Sequence, residues 1–536
     1  MRKWIGLVAG VCAVATAVAG CSSSNNKSGG GGSGSNTAPA HVVSGGTFTF
    51  ALNSDPGNLD PQASAASNLY QMSFLAYDPL LAISSTGKIE SQLATKWTVS
   101  GTKVTLTLHP NITCSDGSKF TATTAAQNIA YVVDPKNKSP FAGVFIPVGT
   151  KATGDDATNT LTITTPSAAP FVLNGLAGVP MVCGKAITDR KLLATKTDGT
   201  GPYQLTSAVS NDHYTLTKRS GYTWGPDGAT TSAAGLPDTI NVKIVPNETT
   251  AANLLLSGQL NAANILGPDT SRLEAANLFK VETPSVWGEQ WYNEDSSHIT
   301  SDPKVRMALT QAADFGQLEK VITAGRGTPG TSFAATAPIA CPGNSVQNAL
   351  PAHNLDAAKT LLDSDGWKVG ANGIRSKDGK QLELTFLYNT VQGTPGSSAA
   401  ELAAQEWKAL GVKVDLKAQD ETAAVNTLFS TGNWDIVWEP VNVSSPDQLV
   451  GFLSGPATPK GENFGHINNA AYNAGIAKAE KEPGTSGCAD WLSAESNLVR
   501  DADVIPFANQ VQNTFGKGAQ FQVAGELQPT SIRMTG

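Results

Sequence analysis

The stretch from Leu402 to Leu416 is the part of this chain that most restricts its fold. Leu402, Glu406, Trp407 and Leu410 recur at helical spacing, Gly411 can close the helix, and Val412, Val414 and Leu416 then alternate as a strand. Helix, glycine and strand in that order make an α/β unit. Other segments carry the same two periods. Asp302 is placed to cap, and Pro303 to open, a helix with Val305, Leu309 and Ala312 on one face. Asn354 caps a second with Ala358, Leu361 and Leu362, and Gly366 can end it. Period-two runs at Thr47–Phe50, Val104–Leu108, Thr160–Ile163 and Ile240–Ile244 predict strands. No repeat occurs at solenoid or propeller spacing. The chain is therefore expected to be α/β.

Its amino terminus predicts export. Arg2 and Lys3 precede an apolar run, Ile5–Val18, too short to span a bilayer comfortably, and Val18-Ala19-Gly20-Cys21 matches a lipobox. Residues 1–20 are expected to be a signal peptide. Residues 21–44 are expected to hold a lipidated Cys21 and a tether rich in Ser, Asn and Gly that cannot bury a core. About 500 residues remain, more than one core accommodates, so two or three lobes are expected. Losing Arg2 and Lys3 takes the formal charge from −7 to −9. An acidic body argues against nucleic acid and places the membrane link in the acyl group. Four cysteines are left in the body: Cys114, Cys183, Cys341 and Cys488. An even number in an oxidising compartment suggests two disulfides, with three pairings open. Spacings of tens of residues without a CxxC pair argue against zinc.

Several stretches resemble the family 5 extracellular solute-binding proteins of ABC importers, in order, from about Gly45 to Gln522. They are Asn58-Leu59-Asp60-Pro61, Tyr77-Asp78-Pro79-Leu80-Leu81, an "LAxxW" turn at Gln92–Trp97, Cys114–Ala122, Gly199-Thr200-Gly201-Pro202-Tyr203, the Asp302–Leu309 helix and Leu387-Tyr388-Asn389-Thr390. The resemblance implies a class II periplasmic-binding-protein fold of three lobes. Lobe I would be built from 45–90, 195–290 and 500–536, lobe II from 91–194 and lobe III from 291–499. It implies a receptor, monomeric and lipid-anchored on the extracytoplasmic face of the cell membrane. The receptor would capture a peptide or peptide-like solute by hinge closure for ABC permease and ATPase subunits, and would need no cofactor. On that map Cys114 and Cys183 share lobe II while Cys341 and Cys488 share lobe III. Pairing 114–183 and 341–488 then leaves closure free.

Oligopeptide binders pair the peptide amino terminus with an aspartate in a "W-x-x-D-x-x-x-P" context. Counting back from Pro446 puts Asn442 there, with Glu439 at the tryptophan position and Trp438 one residue earlier. An amide cannot offset the burial of an ammonium by charge. Either Glu439 supplies the anion or the solute lacks a free amino terminus. Trp287 and Trp291 are expected to wall the cleft together, being four apart on a strand, with Tyr292 beside them. Asn389 and Tyr70 are further candidates. Within the family, oligosaccharide and metal-chelate binding are the alternatives. Outside it stand a surface hydrolase and a structural lipoprotein. The six histidines are scattered, with no HExxH, no G-x-S-x-G and no Walker lysine loop, so no enzyme is expected.

Overall fold

The computed structural model describes residues 41–64 and 66–536. The lipobox, Cys21 and most of the tether lie outside them. The strand and helix expectations are met. Thr47–Leu52, Lys103–Leu108, Thr160–Thr164 and Thr239–Ile244 are strands. Asp302 caps Pro303–Ala312 by accepting from Lys304 N, and Asn354 caps Leu355–Ser364 through Ala357 N. Gly411 closes Gly393–Leu410 at φ +93°, a left-handed conformation costly for other residues, and Lys413–Gln419 follows as a strand. One reading is corrected. The expected turn at Gln92–Trp97 runs into the strand Ala94–Ser100, because Trp97 and its neighbours pair with Lys103–Leu108 across a bulge at Ala94/Lys96.

A single eleven-stranded sheet runs through most of the body. Its order is Lys413–Gln419, Glu383–Asn389, Ile436–Trp438, Phe279–Tyr292, Val504–Gly516, Ala262–Ile265, Thr47–Leu52, Thr239–Ile244, His213–Lys218, Tyr203–Val209, with Thr328–Pro329 pairing Val504–Gly516 off that path. Its middle is two long antiparallel strands, Phe279–Tyr292 and Val504–Gly516, paired from Phe279↔Gly516 to Trp291↔Val504. At one end Val504–Gly516 also pairs with Ala262–Ile265; at the other, Phe279–Tyr292 also pairs with Ile436–Trp438. These two crossing strands thus belong to both halves of the sheet. Their register shifts around Val286, Gly288 and Glu289, where the ladder is irregular. Along the first of them, Phe279–Ser285 alternates in exposure while Val286–Tyr292 is buried throughout.

Separate cores serve separate regions. The largest gathers Phe171 and buried side chains from Trp287 to Ala508. A smaller one fills the four-stranded sheet of Ala94–Ser100, Lys103–Leu108, Thr160–Thr164 and Lys151–Asp155, and draws in Leu80, Leu81, Tyr222 and Trp224. Two more lie beneath the strand Thr47–Leu52 and its neighbours.

Two of the shared motifs are structural pins. Buried Asp78 accepts from Gln92 Nε2 (2.6 Å), Thr200 Oγ1 (2.9 Å), Tyr222 OH (2.9 Å) and Trp224 Nε1 (3.0 Å), joining three of the stretches quoted above. Burial still raises its pKa, and these four donors oppose that rise. A Cβ on Gly199 or Gly201 would overlap Ala76 and Tyr77, so the glycines let that loop reach the pin. Buried Arg306, from the Asp302–Leu309 helix, donates to Asp503 Oδ1 (2.9 Å), Thr300 O (3.0 Å) and Ala502 O (3.2 Å) and lies 3.3 Å from Glu294 Oε2. It fastens the ends of both crossing strands to one helix.

Candidate functional site

The strands Lys413–Gln419, Glu383–Asn389 and Ile436–Trp438 run parallel, so their carboxyl ends open on one edge. Ligands of open α/β sheets bind outside such ends. Asn389 and Glu439 stand there. Ile436–Trp438 pairs with the first crossing strand, Gln290↔Trp438 through Tyr292↔Ile436. Pro440 has no N–H, and beyond it side chains replace ladder bonds. Glu439 N donates to Glu289 O (3.1 Å). Val441 N donates to Glu289 Oε2 (2.8 Å). Asn442 Oδ1 accepts from Val286 N (2.9 Å) and Thr336 Oγ1 (3.0 Å). Segment 439–442 is therefore tied to the first crossing strand where its register with the second is irregular.

Electrostatically this edge is acidic and under-bonded. Glu289 is fully buried, and its Oε1 has no hydrogen-bond partner among the described residues. Burial pushes its carboxyl up to about 8, and the charges of Glu439 and Glu495 add to the rise. Glu495 is pushed by burial up to about 7 while its Oε2 accepts from Ser345 Oγ (2.7 Å). Asn389 Nδ2 donates to Glu439 Oε2 (3.3 Å), and Gln392 Nε2 donates to Trp287 O (2.6 Å). Buried Gln392 Oε1 is likewise unpartnered among the described residues.

The predicted site residues divide. Glu439, Asn442 and Asn389 come together at this edge. The aromatics are placed as packing. Trp438 is fully buried, donates to Gln290 Oε1 (3.0 Å) and packs on Phe386 and Phe507. Trp291 is fully buried against Phe464 and donates to Glu439 O (2.9 Å). Trp287 donates to Ile322 O (3.2 Å). Trp287 falls inside the register shift and is left without a paired residue, so simple alternation does not run from it to Trp291. Tyr292 hydrogen-bonds Thr310 Oγ1 (2.9 Å) and accepts from Gln290 Nε2 (2.7 Å). Tyr70 lies elsewhere, donating to Gly178 O (2.8 Å) and packed among Phe74, Phe141 and Phe145. Both expected disulfides are present, Cys114–Cys183 and Cys341–Cys488, with Cα separations of 6.0 and 5.1 Å.

Sequence reasoning missed Glu289, Gln392 and Glu495. Glu289 had a signal, being the one charged residue in Trp287-Gly288-Glu289-Gln290-Trp291-Tyr292. Gln392 and Glu495 had none. Among the described residues, no group of three or more His, Cys, Asp or Glu is placed to hold a metal ion, and no helix is long and apolar enough to cross a membrane.

Comparison with known proteins agrees with this architecture. The chain is 26% identical over 489 residues to the periplasmic murein peptide-binding protein MppA of Escherichia coli (strain K12), covering 85% of this chain and 86% of that one. It is 27% identical over 394 residues to the glutathione-binding protein GsiB of Pectobacterium atrosepticum, covering 71% and 69%. Among solved structures, a substrate-binding protein from Microbacterium hydrocarbonoxydans complexed with 4-hydroxybenzoate hydrazide superposes with a TM-score of 0.76 at 23% identity, covering 91% of this chain and 100% of that one. The oligopeptide-binding protein AppA of Bacillus subtilis, in complex with a nonapeptide, also gives 0.76, at 18% identity and coverages of 92% and 100%. The model of the bacterial extracellular solute-binding proteins, family 5, matches residues 88–459, and the chain belongs to that family, with its multi-lobed α/β fold.

Proposed function

We propose that this chain is a lipid-anchored receptor on the extracytoplasmic face of the membrane that closes its lobes on a peptide or peptide-like solute and presents it to an ABC importer. Lobe I would comprise 45–90, 195–290 and 500–536, lobe II 91–194 and lobe III 291–499. The crossing strands would act as the hinge. The observation that carries the peptide reading is the state of segment 439–442. Asn442 spends its carbonyl oxygen on Val286 N and Thr336 Oγ1, which leaves only amide donors for a solute. A donor cannot receive an ammonium, so the anionic role falls to Glu439, held by Asn389 Nδ2 and by Trp291 Nε1 through its carbonyl. Trp291 and Trp438 then act by setting this edge. The oligosaccharide alternative loses its platform, because both indoles are buried against protein.

Native mass spectrometry of freshly purified, undenatured protein tests this reading. Co-purified masses that fragment as peptides or blocked peptides support it. A co-purified oligosaccharide or metal chelate contradicts it. Anchoring is tested apart: Cys21→Ala should move the protein from the membrane to the soluble fraction, and retention in the membrane would contradict the anchor.

A further inference from the structure

One aromatic ring crosses between two cores. Phe171 precedes the helix Val172–Gly178, whose Val172, Leu176 and Ala177 belong to the small core of the four-stranded sheet. Its own ring does not join them. It is 2% exposed and sits in the largest core, whose other fully buried members all fall between Trp287 and Ala508. There it packs on Trp491, with ring centroids 6.4 Å apart. Both sides of the contact are stiff. Pro170 fixes the backbone before Phe171, and Trp491 lies one turn into Cys488–Arg500, a helix stapled at its first residue by Cys341–Cys488.

Among the described residues no hydrogen bond, ion pair or disulfide joins 91–194 to 291–499, so this apolar contact stands out. Such a contact can part without stranding a hydrogen-bond partner. Ring burial favours the closed arrangement, and a single ring contact is a small enough term for a solute to shift the balance.

We propose that Phe171 is a latch between the small lobe and lobe III, holding the unliganded receptor toward its closed form. This rests on the lobe-closure reading above, and the test separates the two. Nitroxides are placed in the full chain at Val148→Cys and Val369→Cys, both exposed positions on opposite sides of the contact. Their distance distribution is measured by double electron–electron resonance without any solute, with Phe171 intact, as Phe171→Leu and as Phe171→Ala. Loss of the ring should shift the closed-to-open ratio about tenfold, seen as a longer and broader distribution for Phe171→Ala and an intermediate one for Phe171→Leu. A Phe171→Ala distribution that matches the parent overturns the latch. So does one that changes only together with general loss of amide protection in the strands Lys103–Leu108 and Thr160–Thr164, since that is unfolding of the small lobe. Adding a tripeptide to the parent reports on closure itself. No response there counts against the receptor reading and leaves the solute-free comparison to decide the latch.

Discussion

Asp78 and Glu289 are both carboxyl groups in the interior, and their surroundings differ in kind. Asp78 takes four side-chain donors from Gln92, Thr200, Tyr222 and Trp224. Glu289 takes a donor from Val441 N on one oxygen and has the other unpartnered among the described residues, with Glu439 and Glu495 nearby. A buried polar group that is fully bonded rigidifies a fold, whereas one left short of partners is held at a cost that structure alone does not repay. The first carboxyl is a pin between motifs. The second lies at the edge proposed above to meet the solute.

Asp78→Ala gives the largest expected effect. It takes the acceptor from Gln92 Nε2, Thr200 Oγ1 and Tyr222 OH, while Trp224 Nε1 keeps its second acceptor, Thr200 O (3.2 Å), and should cost on the order of 3–5 kcal/mol after partial relaxation. Urea unfolding measures it. A loss below about 1 kcal/mol would remove the distinction between the two sites.

Glu289→Gln sharpens the contrast through pH. A carboxyl whose folded value is raised to about 8 binds more protons folded than unfolded between about pH 4.5 and 8. Stability therefore falls as pH rises through that window, and Glu495, raised to about 7, acts in the same direction. The Gln variant should lose Glu289's share of this dependence. It should gain about 1–3 kcal/mol over the parent at pH 8 and almost nothing at pH 4.5. Equal pH slopes for the two proteins would contradict an ionisable, under-bonded Glu289.

Asn442→Asp should do least. With Oδ1 already accepting from Val286 N and Thr336 Oγ1, the new carboxylate stays committed to these two neutral donors. Peptide affinity should change less than about threefold by calorimetry, under 1 kcal/mol. A gain of a hundredfold or more would return the ammonium to position 442.

What the sequence revealed follows the same division. Caps, alternating strands and the Gly411 stop were legible because they depend on neighbours in the chain. The disulfide pairs followed from the lobe map. Asp78 was visible as part of a motif, but its role needed Thr200, Tyr222 and Trp224, over a hundred residues away. The packing of Trp287 and Trp291 was not legible, because aromatics suit a cleft wall and a core equally well and a register shift interrupts the period-two count. Glu495 was beyond reach, since only the packing of Cys488–Arg500 brings it near Glu289.

The central claim is that Glu439, beside the under-bonded Glu289, receives a positive group from the solute. Calorimetry with matched free-amine and acetylated peptides, on the parent and on Glu439→Gln, tests it most directly. The parent should prefer the free amine, and Glu439→Gln should weaken the free-amine peptide by about 2–5 kcal/mol, because a buried ammonium loses its counter-charge, while the acetylated peptide changes little. Tight free-amine binding that survives Glu439→Gln would contradict it.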